Sequence, residues 1–334
     1  MYLASRYGTV SGKAAWQGNY LAIAGGGTNV YQWDNGFYAK YANAIGGVVY
    51  DIDFNSTNTE IAAGFPGSPY VSAWPFNNQG FGTKYADPAV LPPNTVFGVE
   101  FSPSDADIVT AHSSSPYTTA YPWSSGFGTK YADPATLPAG NAQKVAFSPS
   151  GNDVAIAHTS SPDVSVYPWS SGFGSKYTDP ATLIPGANGR DVEFSPSGNQ
   201  IACVTSTGTI FSVYAWSAGW GSKYADPATL PTGVGNGTTW SSSGADIFVA
   251  HANSPYVTAY PFSAGIGTKY ADPGTALPNT GNGVSYDGNG NNVAVAHSTS
   301  PFVSVYPWSS GFGTKYTDPV TLMTSTGRAA KFSN

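Results

Sequence analysis

Residues 144–180 read KVAFSPSGNDVAIAHTSSPDVSVYPWSSGFGSKYTDP, and this unit recurs with small changes along the chain. Its Lys-Tyr pair returns at Lys40-Tyr41, Lys84-Tyr85, Lys130-Tyr131, Lys176-Tyr177, Lys223-Tyr224, Lys269-Tyr270 and Lys315-Tyr316. Successive pairs lie 44, 46, 46, 47, 46 and 46 residues apart. Seven copies at this period mark a propeller or solenoid that folds as one body. That reading overrides the two or three domains that 334 residues would otherwise suggest.

Within the unit, KVAF alternates in character and ends at SPSG, where Pro and Gly supply a tight turn. DVAIAH then puts Val154 and Ile156 on one face and Ala155 and Ala157 on the other, so a neighbouring sheet can pack closely on the small side. TSSP breaks the pattern. DVSVYPW sets Val164 and Val166 opposite Ser165, Tyr167 and Trp169. SSGFGSKY supplies a turn and a short fourth strand, with the Lys and Pro expected of an outer edge. Helical periodicity is absent.

Four antiparallel strands per unit make one propeller blade. The expectation is an all-β chain, a single seven-bladed β-propeller over residues 1–334. By the repeat phase the blades centre near 13–43, 46–88, 94–134, 141–180, 188–227, 235–273 and 281–319, with 320–334 returning to the first. The first-strand aromatics are Trp16, Phe54, Phe101, Phe147, Phe194, Trp240, Tyr286 and Phe332. The third-strand series has seven members: Tyr31, Trp74, Tyr121, Tyr167, Tyr214, Tyr260 and Tyr306. The surplus first strand predicts a ring closed by overlapping ends, with Ala14–Trp16 and Ala329–Phe332 both candidates for the inner slot of blade one.

Net charge is −6, and six of the 13 basic residues are the repeated Lys of the GTKY or GSKY segment, spread evenly rather than gathered on one face. That excludes a nucleic-acid partner. The one cysteine, Cys203, lies in the apolar run IACV, so disulfides do not hold the fold. MYLASRYGTVSGK lacks the basic and apolar regions of a signal peptide, and no apolar run approaches the ~20 residues of a membrane span. The expectation is a soluble protein without membrane insertion.

The FSPSG turn, the small-residue second strand and VSVYPW resemble the WD40 repeat family over nearly the whole chain. Tyr167 takes the place of that family's signature Trp and Pro168 that of its Asp, while Trp33-Asp34 is two residues out of phase. The family's Gly-His pair before the first strand is absent, and with it the basis for its His-Asp network. YPWSSGFGTKYADPATLP (residues 121–138) also resembles WD40-like proteins encoded by tailed phages and environmental viral sequences. That resemblance implies a virion component docking to other structural proteins.

Several constellations bear on chemistry. His112, His158, His251 and His297 share one repeat position and are either a ring of ligands or bases at the mouth, or hydrogen-bonding residues that end the second strand. Asp87, Asp133, Asp179, Asp226, Asp272 and Asp318 each precede Pro; a turn role with the Lys three residues earlier fits this repetition better than a catalytic carboxylate pair. Asp51, Asp53, Glu100, Lys144, Arg190, Asp191 and Glu193 break the repeat on first strands that approach the central channel, lining a polar lumen or binding a small ion or ligand. YDGNGNN, residues 286–292, is rich in oxygen donors but lacks the acidic spacing of a calcium loop. Ser-Pro-aromatic turns place Tyr70, Tyr117, Tyr256 and Phe302 where they either stack on sugars or pack between blades, and Asp163 and Ile210 interrupt their series.

G-x-S-x-G, P-loop, dinucleotide and zinc patterns are all missing. From this, the expectation is a non-catalytic binding or assembly module with no metal and no cofactor, and alternatively a multivalent glycan-binding propeller.

Overall fold

The computed structural model describes residues 19–288 and 292–333. Blade one begins with β1 (Asn19–Gly25), β2 (Gly27–Trp33) and β3 (Phe37–Lys40). Blade two is β4 (Asp51–Phe54), β5 (Glu60–Gly64), β6 (Val71–Asn77) and β7 (Gly80–Phe81). Blade three is β8 (Val96–Phe101), β9 (Asp107–His112) and β10 (Thr118–Pro122), and blade four is β11 (Ala142–Phe147), β12 (Asp153–His158) and β13 (Val164–Pro168). Blade five holds β14 (Gly189–Phe194), β15 (Gln200–Thr205), β16 (Phe211–Trp216) and β17 (Trp220–Lys223). β18 (Gly235–Trp240), β19 (Asp246–His251) and β20 (Val257–Pro261) form blade six; β21 (Gly281–Tyr286), β22 (Asn292–His297) and β23 (Val303–Pro307) form blade seven. β24 (Ala329–Phe332) completes blade one in the sheet order β24-β1-β2-β3.

Every sheet is antiparallel, the described residues contain no helix, and inner strands touch in the closed sequence β4, β8, β11, β14, β18, β21, β24 and back to β4. This is the seven-bladed propeller that the repeat predicts. β24 settles the inner slot of blade one: Leu21 pairs with Phe332 and Ala24 with Ala329. The rival segment Ala14–Trp16 lies outside the described residues.

The core is not central but lies in seven seams, one between each pair of adjacent blades. Strand alternation builds them. Val154, Ile156, Tyr167 and Trp169 face blade three, while Ala155, Ala157, Val164 and Val166 face blade five. Large residues of one blade therefore meet small ones of the next, and each buried large apolar side chain contributes on the order of 2 kcal/mol.

The fourth strand departs from expectation. Blades one and five carry four-residue outer strands and blade two a two-residue one, but in blades three, four, six and seven it shrinks to a single bridge such as Trp169 to Phe173. Proline is the reason. The Pro168 carbonyl accepts the Gly174 N–H at 2.8 Å, so the N–H that Pro168 lacks would have pointed at the same outer strand. Where Gln32 or Ala215 replaces this Pro, a four-residue strand forms.

Candidate functional site

Each inner strand presents one edge to the axis, and edge strands carry backbone N–H groups without a ladder partner. The inner strands surround a cavity of about 360 Å³. Its lining follows the strand period. One residue before the strand-ending aromatic lie Asp53, Glu100, Ala146, Glu193, Thr239, Ser285 and Lys331; three residues before it lie Asp51, Lys144, Asp191, Gly237, Gly283 and Ala329. In five blades the register then slips at the mouth. The extra residue is Phe97, Gln143, Arg190, Asn236 or Asn282, and such bulges re-aim a side chain. Tyr50 and Arg328 complete this level, with the Arg328 guanidinium 4.7 Å above the Tyr50 ring.

Most lumen carboxylates do structural work first. Asp51 Oδ2 accepts the Val99 N–H at 3.0 Å and Asp53 Oδ2 accepts that of Phe101 at 2.9 Å. Glu100 Oε2 accepts the Phe147 N–H at 3.1 Å, and Asp191 Oδ2 that of Thr238 at 2.8 Å. Each bond runs from one blade to the next, sealing the exposed edge. Two ion pairs add to this. Lys144 Nζ lies 2.7 and 2.6 Å from the oxygens of Asp51, reaching across blade three; a Cβ on Gly98 would meet the Lys144 Cα at 2.9 Å. Lys331 Nζ lies 3.0 Å from Asp53.

Asp191 and Glu193 enter no ion pair among the described residues. Burial pushes the Asp191 carboxyl up to about 6, against the pull of Lys144 and the N–H groups of Thr238 and Val192. Burial, then the charge of Asp191, pushes Glu193 up to about 8, with Lys331, the Thr239 hydroxyl and Lys144 opposing. Burial likewise raises Glu100 well above the ordinary glutamate range. Lys331 moves up chiefly through Asp53, while at Lys144 burial pulls down but Asp51 and Asp191 outweigh it. One strand thus presents two carboxyls, about 6.6 Å apart along the backbone, whose environments separate their proton affinities.

The other sequence candidates fall elsewhere. All four histidines are fully buried, and burial lowers each to about 4. His158 Nε2 is 2.9 Å from Ser165 Oγ and His297 Nε2 is 3.1 Å from Ser304 Oγ, while His251 Nδ1 meets the Thr232 carbonyl at 3.0 Å. All four end strands and none lines the cavity; the hydrogen-bonding reading holds for His158, His251 and His297, whereas both ring nitrogens of His112 are buried without such a bond among the described residues. The six Asp-Pro carboxylates each pair with the Lys three residues earlier, Lys84–Asp87 through Lys315–Asp318. Part of the 286–292 segment lies outside the described residues.

Tyr70, Tyr117, Tyr256 and Phe302 are half-buried, follow cis Ser–Pro bonds and have φ of 69, 69, 72 and 71°. Their carbonyls close the turn on the N–H of Phe65, His112, His251 and His297. They occupy the propeller face that holds the channel mouth but sit one to a blade, and the cavity does not include them.

Sequence reasoning missed Arg328 and Lys331, whose place in the lumen depends on β24 closing blade one. A second omission is a network at the start of the second strand. Asp153 accepts the Tyr177 hydroxyl at 2.8 Å from its own blade and the Trp216 Nε1–H at 3.2 Å from the next. Glu60, Asp107 and Asp246 do the same with Tyr85 and Trp123, Tyr131 and Trp169, and Tyr270 and Trp308. The repeats themselves carried the signal: where Phe262 or Phe76 replaces the Trp, the preceding blade has Gln200 or Tyr20 in place of the acid.

Against known proteins, no family profile and no curated sequence matches the chain. Solved structures do. The periplasmic gluconolactonase of Pseudomonas aeruginosa superposes with a TM-score of 0.72 at 12% identity, over 95% of this chain and 99% of that one. A provisionally assigned 6-phosphogluconolactonase from Bacteroides uniformis gives 0.71 at 13%, over 95% and 100%. The β-propeller domain of Cps50 from Myceliophteria thermophila gives 0.59 at 12%, over 84% and 88%. What they share with this chain is the fold. One expectation has to be corrected: the repetition of candidate residues from blade to blade and the missing catalytic motifs pointed to a non-catalytic module, yet propellers of the same shape bear enzyme names. The uniformity belongs to the seams and leaves the lumen free to vary. The resemblance to phage-encoded propellers has no counterpart among these structures. No helix of the described residues is long and apolar enough to cross a membrane.

Proposed function

We propose that the chain binds a small polar ligand in the central channel and carries general acid–base chemistry there on Asp191 and Glu193. The observation that carries this reading is the Asp191–Glu193 pair on β14, two carboxyls without ion-pair partners that burial moves to about 6 and about 8. At neutral pH Glu193 holds a proton and Asp191 does not, which is the division of labour that hydrolysis of an ester or lactone needs. Asp191 would take a proton from water as its oxygen adds to the carbonyl carbon. Glu193 would give its proton to the departing alkoxide oxygen, leaving a hydroxy acid.

The lactonase names of two structural neighbours make D-glucono-1,5-lactone the first probe. Hydrolysis above the spontaneous rate is expected, with a bell-shaped pH profile whose limbs fall near 6 and 8 and a loss of at least ~100-fold in Glu193→Gln. A rate indistinguishable from buffer across lactones and simple esters sinks the catalytic half of the proposal.

A second reading uses the ring of turn aromatics as a docking face for glycans or for other structural proteins. It is supported by Tyr70, Tyr117, Tyr256 and Phe302 sharing one face in left-handed backbone, a conformation side chains adopt at a cost of ~1–2 kcal/mol and which clusters at binding loops. A glycan array with no signal at millimolar sugar, unchanged by Tyr117→Ala with Tyr256→Ala, removes its carbohydrate form. A place in a virus particle rests on the sequence resemblance alone, and searching purified particles of the source for the chain tests it.

A further inference from the structure

Resting on the channel as the ligand site, we infer that the mouth selects ligands bearing an anionic group, a carboxylate or phosphomonoester, held between Arg190 and Arg328. The ligand's uncharged, hydroxyl-bearing body would extend inward toward Lys144 and Glu193.

Four observations support this. Arg190 and Arg328 occupy the same mouth position on blades five and one, three blades apart in a ring of seven, so they stand across the opening from each other. Arg190 is exposed and enters no ion pair among the described residues, and Arg328 is held over the Tyr50 ring rather than by a carboxylate. Neutral neighbours flank them, and Asn236 and Asn282 are committed to the carbonyls of Gly281 and Gly327. Two further cations stand deeper in the cavity. Lys144 and Lys331 lie below the mouth, and their partners Asp51 and Asp53 are already shared with backbone N–H groups.

The carboxyls of the lining, Asp51, Asp53, Glu100, Asp191, Glu193 and Asp287, all stand at positions inside the mouth, so the two arginines hold the opening itself with no carboxylate at their level. A charged cleft with low-dielectric walls concentrates ligands of opposite sign. Planar guanidinium forks suit carboxylate and phosphate oxygens bidentately.

The test compares D-gluconate with D-sorbitol, polyols of equal chain length that differ in the anion, by calorimetry at pH 7 and fixed ionic strength. Gluconate is expected to bind at least ten-fold more tightly, about 1.4 kcal/mol. Arg190→Gln and Arg328→Gln should each erase most of that ratio while leaving the sorbitol affinity and thermal midpoint in place. Equal binding of the two polyols overturns the inference and leaves the channel reading standing, as does a ratio that survives both arginine variants. If neither polyol binds, the channel reading falls and takes this inference with it. Inorganic phosphate at the same ionic strength separates the sources: competition with gluconate means the anion alone is recognised, and its absence means the hydroxyl body is required.

Discussion

Asp153 holds two blades at once, through Tyr177 in its own and Trp216 in the next. Truncating it strands a fully buried indole N–H, so Asp153→Ala is expected to lower unfolding free energy by ~2–4 kcal/mol in urea titrations. The pairing of Gln200 with Phe262 shows how the chain relieves the same seam without a charge. Asp153→Gln combined with Trp216→Phe should therefore cost less than the sum of the single changes, with a coupling of ~1 kcal/mol or more; strict additivity would refute the stitch. At Glu193 the sign of the pH effect follows from the raised carboxyl. Between pH 4.5 and 8 the folded chain keeps a proton that the unfolded chain has released, so this contribution is present at low pH and lost as pH rises through about 8. The four histidines act oppositely: folded values near 4 against 6.5 mean stability present above 6.5 and lost as pH falls toward 4. Above pH 6.5 the histidines are silent, so the thermal midpoint should decline toward pH 8 more steeply in the native chain than in Glu193→Gln, where Glu100 is the raised carboxyl that remains.

At the scale of the strand, Pro168 decides how far the outer edge pairs. Pro168→Ala restores a donor aimed at residues 173–177, and hydrogen exchange there should slow toward the protection of β17 in blade five, where Ala215 stands in its place. No change in exchange would mean that the SSGFG turn, not the proline, limits the strand. This element also marks what the sequence could and could not reveal. Strand faces were readable because alternation is local: Val154 and Ile156 against Ala155 and Ala157 separated as the period of two requires. The short fourth strand was not, because the proline's effect depends on which side its missing N–H faces. Lumen residues Asp51, Glu100, Lys144 and Glu193 were legible as breaks in the repeat, whereas their pairing depends on distances between blades. Arg328 and Lys331 became lumen residues only once β24 was placed.

Across the whole ring, blade one is the least stitched. Its seam to blade two has Tyr20 against Phe76, an aromatic contact in place of the carboxylate, and its seam from blade seven has Asn292 opposite Trp33, whose Nε1 has no partner among the described residues. β24 compensates, with Phe332 buried against Trp33 at a ring separation of 5.6 Å. Phe332→Ala is expected to cost ~3–5 kcal/mol and to raise exchange first in β1 and β2 rather than uniformly; uniform loss would place the weak point elsewhere.

That arrangement has a temporal meaning during protein synthesis. β1 and its partner β24 are roughly 300 residues apart, so at ~10 residues per second the ribosome leaves blade one without its inner strand for about half a minute. Over that interval blades two to five can lock to one another through Glu60, Asp107 and Asp153 as each emerges. Blade one lacks the carboxylate stitch on either flank and is the last to be completed. The arc grows from its middle and waits for residues 329–332 to shut it.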